Sequence, residues 1–127
     1  MIKIGIYGGG IDDMKHLMKL TSAPFRMIKD GTKTIELRLY DDKRKKIKTR
    51  DRIEFVNIEN NDDILVAEVV ELFVFDSFKT LYDELPLLEC GYTEKDIGTA
   101  SPNDMDIYYS KEKQQKYGVV GIKIELL

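Results

Sequence analysis

The stretch Asp30-Gly31-Thr32-Lys33-Thr34-Ile35-Glu36-Leu37-Arg38-Leu39-Tyr40 decides how this chain folds. It reads as a helix stop, a short turn and a strand. Successive strand side chains leave on opposite faces, so Ile35, Leu37 and Leu39 point one way and Thr34, Glu36, Arg38 and Tyr40 the other. One face can belong to a core. The other carries an acid, a base and a phenol in line. Lys33 stands at the strand entrance, where the chain is still turning and its side chain can swing toward that polar face. Glu36 and Arg38 can equally form a plain surface pair, which contributes little.

Upstream, His16, Met18 and Leu20 alternate with Lys15, Leu17 and Lys19, which suits a first strand. Thr21-Ser22-Ala23-Pro24 opens a helix, with Ser22 as an acceptor for its exposed N–H groups and Pro24 in its first turn. Phe25 and Ile28, three apart, share its buried face, and Gly31 supplies the left-handed residue that ends it. Residues 1–13 read differently. Gly8-Gly9-Gly10 is half of a phosphate-binding glycine loop, without the spacing or the following helix that the loop needs. Glycine codons just ahead of Met14 match a translated ribosome-binding site, so Met14 is read as the native start and 1–13 as a non-native or flexible leader.

Downstream, Lys43–Arg52 is a basic run with seven Lys or Arg in ten residues, read as a solvated loop or hairpin arm, or as a basic face on an acidic body. Residues 52–57 alternate as a strand, residues 59–63 form a turn, and residues 64–75 form a long apolar strand. Glu68 and Glu71 have opposite parity there, so a bulge or sharp bend is expected between them. Ser77 caps a helix with Phe78, Leu81, Tyr82 and Leu85 on its apolar face, and Pro86 stops it. Short turns follow through Gly98. Ser101-Pro102 starts one helix running to about Tyr117, with Gly118 at its end. Residues 119–127 close the chain as a strand with Val120, Ile122, Ile124 and Leu126 inward. The order β-α-β-β-β-α-α-β lacks the regular alternation of a doubly wound sheet. It favours an α+β fold, a small mixed or antiparallel β-barrel decorated by short helices.

The 127 residues fit one domain, placed at 14–127, with a net charge of −3 that argues against bulk non-specific nucleic-acid binding. No apolar run approaches the roughly 18 residues of a spanning helix. One cysteine and one histidine exclude an internal disulfide and a self-sufficient zinc site. These features describe a cytoplasmic protein with no membrane partner, no metal and no cofactor, and a monomer is favoured.

The stretch from His16 to Phe55 resembles the ASCH domain, a branch of the PUA-like superfamily marked by Gly-x-Lys-x-x-Glu-x-Arg. Here the motif is Gly31-Thr-Lys33-Thr-Ile-Glu36-Leu-Arg38. Pro24-Phe25, Ile28 and Lys29 match the preceding helix, and Leu39-Tyr40-Asp41-Asp42-Lys43-Arg44 with Ile47 matches a common bacterial variant. That variant carries Gly-Asp before the next strand, where this chain has Arg50-Asp51. The resemblance implies a PUA-like barrel with a cleft beside the motif that binds RNA or modified nucleosides. Gly31, Lys33, Glu36, Arg38, Tyr40, Lys43 and Arg44 are the binding residues it points to. Lys33 and Arg38 suit phosphate, Glu36 suits the exocyclic amino group of cytosine, and Tyr40, Tyr92, Tyr108 and Tyr109 are candidates to stack a base.

Two alternatives come from other classes. One is a hydrolase acting on RNA or on an acylated nucleoside, with Lys33, Glu36 and Glu89 as catalytic candidates. A related group of amidohydrolases uses lysine, threonine and glutamate; Glu36 occupies the position of their threonine nucleophile, and a carboxylate does not replace a hydroxyl in that attack. The other is a sensor of a small anionic metabolite. His16 is read as a satisfied core or cleft-wall histidine, and Cys90 as a small buried hydrophobe.

Overall fold

A computed structural model describes residues 14–127. The readings of residues 1–13, the glycine loop and the leader, lie outside the described residues. The elements are β1 (Lys15–Leu20), α1 (Ser22–Asp30), β2 (Ile35–Leu39), β3 (Arg52–Asn57), β4 (Asn60–Phe75), α2 (Phe78–Glu84), α3 (Lys111–Tyr117) and β5 (Val119–Leu126). Single 3-10 turns lie at Arg44–Lys46, Leu87–Glu89 and Ile97–Thr99, with a longer one at Pro102–Ile107. This is the order expected from the sequence.

The five strands form one sheet in the order β1-β3-β4-β5-β2. β1 runs parallel to β3, and the other neighbours are antiparallel. The sheet curls into a half-barrel, so its two edge strands approach each other: Arg38 Nη2 on β2 donates to the Lys19 carbonyl on β1 at 3.2 Å. The α+β small-barrel expectation holds, with an open seam between β1 and β2.

The curl encloses one core. Met18, Ile53, Phe55, Val69, Val120 and Ile122 fill it, and Phe25 and Ile28 of α1 cap it. A second core lies on the outer face of β2. There Ile35, Leu37, Leu39 and Val119 pack against Phe78, Leu81 and Tyr82 of α2. Truncating Phe55 or Phe78, each at most 1% exposed, is expected to cost roughly 3–5 kcal/mol. The β2 strand is thus covered on both faces. Glu36 and Arg38 pair in register with Ile122 and Val120 of the inner core, and Glu36 is only 3% exposed. A plain surface pair is therefore not what Glu36 and Arg38 form.

Four local expectations are corrected. Ser22 does not cap α1. Its N–H donates to Glu59 Oε2 at 2.8 Å, so a carboxylate from the β3–β4 turn supplies the acceptor. That turn is only Ile58–Glu59, and β4 begins at Asn60 because the polar residues 60–63 extend the hairpin beyond the core. The segment 101–117 is two pieces: the Ser101–Asp104 capping box starts a 3-10 turn, and α3 begins afresh with Ser110 as its cap. Leu126 is 40% exposed rather than inward. The expected bulge is present, as the β4–β5 register shifts between Val69 and Glu71.

The Arg50-Asp51 turn has a backbone reason to favour glycine. Arg50 has φ 78°, the one positive φ at a non-glycine residue among the described residues. Its N–H donates to Val69 O at 2.8 Å beside the bulge, which fixes that conformation. Left-handed backbone costs an L-residue about 1–2 kcal/mol, partly offset by the extra chain entropy of glycine. Arg50→Gly should therefore stabilise the protein by about 0.5–1 kcal/mol in urea unfolding. An unchanged or lower midpoint would show that the Arg50 side chain contributes more than its backbone strain costs.

Candidate functional site

Gly31, with φ 83°, ends α1, and two N–H groups, from Thr32 and Lys33, then bond to the carbonyl of Met27 at 3.0 Å each. This tight wrap aims Lys33 back over the start of β2. Its Nζ lies 2.7 Å from Glu36 Oε1. Arg38 holds the other carboxylate oxygen, with Nε at 2.8 Å and Nη2 at 2.7 Å. Burial alone would raise the Glu36 carboxyl; the charges and contacts of Lys33 and Arg38 outweigh it and hold it below the ordinary range. Burial likewise works against the Arg38 charge, and Glu36 outweighs it. Two cations and one carboxylate leave the cluster with one net positive charge, and the cation side chains are 10% and 14% exposed.

A cleft of 570 Å³ opens over this cluster, along the seam between β1 and β2. Lys33 and Arg38 lie at its floor, and Lys19 and Thr21 on its β1 side. Its far wall is aromatic. Tyr82 Oη meets Tyr92 Oη at 2.7 Å, and Tyr92 donates to Asp104 Oδ2 at 2.6 Å. Burial, then the bonds to Asp104 and Tyr82, push the Tyr92 hydroxyl far above its usual range, so it stays protonated. Tyr109 stacks on Phe78 at a centroid distance of 6.2 Å. Tyr108 and Ile107 stand at the rim, 67% and 81% exposed. Gly91, with φ 113°, passes under the Lys33 stem, where an added Cβ would sit 3.5 Å from Lys33 Cδ. Cys90 lines the inner wall, and burial pushes its thiol up to about 12, so it is no thiolate nucleophile at neutral pH.

The structure brings together Lys33, Arg38, Tyr92, Tyr108 and Tyr109 from the residues named in the sequence. Gly31 positions Lys33 without lining the cleft. Glu36 is buried beneath the cleft without lining it, one carboxylate oxygen 2.7 Å from Lys33 Nζ and the other 2.7 Å from Arg38 Nη2. The remaining named residues lie elsewhere. Tyr40 packs on the inner core with the Lys45 ammonium 5.8 Å from its ring. Arg44 Nη1 pairs with Asp41 at 3.0 Å, and Lys43 is exposed. Glu89 accepts from Thr34 Oγ1 at 2.8 Å and meets Lys123 at 3.3 Å. His16 is buried against Asp51 at 2.8 Å. Tyr82, Asp104, Met105 and Gly91 are cleft residues that the sequence reading missed. Tyr82 was assigned to the apolar face of α2, which is where its ring lies; nothing in that periodicity marks the hydroxyl.

Among the described residues no group of three or more His, Cys, Asp or Glu side chains is arranged to hold a metal ion. No helix among them is long and apolar enough to cross a membrane.

Solved structures share this architecture. The hypothetical protein PH0355 is 34% identical with a TM-score of 0.74, covering 90% of this chain and 100% of that one. Protein PF0455 from Pyrococcus furiosus, solved by solution NMR, is also 34% identical, with a TM-score of 0.67 over 90% of this chain and 98% of that one. An ASCH protein from Zymomonas mobilis shares the fold at 14% identity and a TM-score of 0.59, over 87% of this chain and 66% of that one. Among proteins of curated function none matches the chain. The ASCH domain family matches residues 18–127, a span that takes in the motif, the seam and the aromatic wall. With that match over most of its length, the chain belongs to the ASCH domain family.

Proposed function

We propose that the seam cleft binds RNA or a nucleotide-like ligand, its phosphate on Lys33 and Arg38 and its base against the tyrosine wall. The observation that carries this is the pairing of a net-positive, largely buried floor with an aromatic wall in one cleft of 570 Å³. That volume lies within the roughly 300–1,000 Å³ usual for small-ligand sites. Arg38 offers a planar fork and Lys33 a point charge, the two complements of a phosphate. Tyrosine rings accept any base on their faces, which suits unstacked RNA. Acidic Asp96 and Asp104 also line the cleft, so attraction is local to its floor rather than spread over the surface.

Lys33→Ala and Arg38→Ala should each weaken binding of a short single-stranded RNA. Each should also flatten the slope of log affinity against log salt by about 0.7, the share of one phosphate contact. Titrations at several salt concentrations, with circular dichroism to confirm folding, measure both. Unchanged affinity and slope in both variants would overturn the proposal. Competition by mononucleotides separates an RNA site from a sensor of small anions, which would use the same floor. The hydrolase alternatives find less support: Thr34 and Glu89, though paired at 2.8 Å as a hydroxyl beside a carboxylate, do not line the cleft, and Cys90 is a protonated thiol.

A further inference from the structure

We infer that the cleft reads one unpaired nucleobase through the backbone N–H and C=O of Leu37, in the way an edge strand pairs with a neighbour. The inference rests on the RNA-binding reading and names what that site selects.

The antiparallel ladder between β2 and β5 sets the phase. Ile124 N–H donates to Thr34 O at 2.9 Å, and Tyr40 N–H donates to Gly118 O at 3.0 Å. Thr34, Glu36, Arg38 and Tyr40 therefore turn their backbone groups toward β5, since hydrogen-bonded and non-bonded pairs alternate along an antiparallel ladder. Ile35, Leu37 and Leu39 turn theirs the other way, into the seam. Of these three, Leu37 lines the cleft. Neither its N–H nor its C=O has a partner outside the ladder among the described residues. Leu37 is also 7% exposed, and backbone groups at such a place are normally satisfied by a partner or by water.

On the opposite edge, the parallel pairing with β3 has Arg52 N–H on Met14 O and Ile58 N–H on Leu20 O, both at 2.8 Å. That parity turns Lys19 toward the seam, where its C=O already takes Arg38 Nη2 at 3.2 Å. The opening at Leu37 therefore presents one donor beside one acceptor, next to the cations and below the tyrosines. The Watson–Crick edge of a nucleobase carries the complement: an N–H beside a C=O in uracil and guanine, a ring nitrogen beside an amino group in cytosine and adenine. A peptide strand could use the same groups, but it would need every second residue of β2, and Ile35 and Leu39 do not line the cleft. One base fits; an added strand does not. Because the edge read is the one used in base pairing, a paired base is excluded.

The test uses the intact protein and four short homo-oligoribonucleotides. The tightest binder is then compared with its edge-blocked counterpart, built from 3-methyluridine, 1-methylguanosine, N4,N4-dimethylcytidine or N6,N6-dimethyladenosine, and with an abasic oligomer. The expected result is a loss of about tenfold or more for the blocked oligomer, close to that for the abasic one. The Leu37 amide resonance should move with the unmodified RNA and stay put with the blocked one. If the blocked oligomer binds as tightly as its parent, the inference fails while the RNA-binding reading stands. If none of the four RNAs binds, both fail. If an extended peptide shifts the Leu37 amide and RNA does not, the edge belongs to a peptide and the inference is overturned.

Discussion

Glu36→Gln lowers the stability of the fold by about 3–5 kcal/mol in urea unfolding at neutral pH, the expected result of removing one partner from a buried ion cluster. The mechanism is specific. Glu36 is 3% exposed and sits between Lys33 at 2.7 Å and Arg38 at 2.7 Å. Without its charge, two cations that are 10% and 14% exposed face each other with no anion between them. The pH dependence carries the same signature. The folded-state carboxyl is held below its ordinary value of 4.5. Its contribution is therefore complete above that value and is lost as pH falls through the lowered one. The difference between the parent protein and Glu36→Gln should narrow on acidification. A deficit that stays constant down to acid would show that shape rather than charge makes Glu36 necessary.

A triple exchange sharpens the point. Buried ion clusters replaced wholesale by apolar side chains are often neutral or stabilising. Lys33→Met, Glu36→Leu and Arg38→Met together should recover most of the stability that Glu36→Gln loses, and should bind no RNA. If so, the cluster is retained for the ligand, not for the fold. Stability equal to that of Glu36→Gln alone would mean that the charges also hold the seam, through the Arg38 bond to Lys19 O at 3.2 Å.

What the sequence made legible follows from period and local chemistry. The alternation of Ile35, Leu37 and Leu39 marks a strand wherever it packs, and Gly31 marks a helix end. The conflict between Glu68 and Glu71 announced the bulge, because parity is a property of the strand itself. What stayed hidden depends on distant residues. Ser22 loses its capping role to Glu59, 37 positions away, once the β3–β4 hairpin swings over α1. The polar face of β2 allowed a plain surface pair of Glu36 and Arg38, but the curl of the sheet buries it. Tyr82, Asp104 and Met105 come to the cleft only because α2 and the 3-10 turn at Pro102–Ile107 pack over the second core. Glu89 came from loose spacing and Arg44 from the resemblance; neither lines the cleft, because Thr34 and Lys123 engage Glu89 and Asp41 engages Arg44.

Asp51→Ala should lower stability by about 2–4 kcal/mol and loosen β1 in particular. Asp51 is 2% exposed and gathers three donors. Its Oδ2 lies 2.8 Å from His16 Nε2 and accepts the Lys48 N–H at 3.0 Å, and its Oδ1 accepts the Met14 N–H at 3.2 Å. Alanine leaves at least the buried His16 and the Lys48 N–H without an acceptor, at roughly 1–3 kcal/mol each. Burial raises the Asp51 carboxyl, but the bonds from His16, Lys48 and Met14 outweigh it and keep it below its ordinary value of 3.8. Its stabilisation is thus present above that value and drains as pH falls through the lowered one, so the alanine deficit should shrink in acid. Hydrogen exchange locates the effect. The amides of His16, Met18 and Leu20, which pair with β3, should exchange faster in the variant while those of β5 hold until global unfolding. Because Lys19 and Thr21 form the β1 side of the cleft, a loosened β1 should also weaken RNA binding without touching the floor residues. Uniformly faster exchange across the sheet, with RNA affinity unchanged, would mean that Asp51 supports the fold as a whole and not the seam.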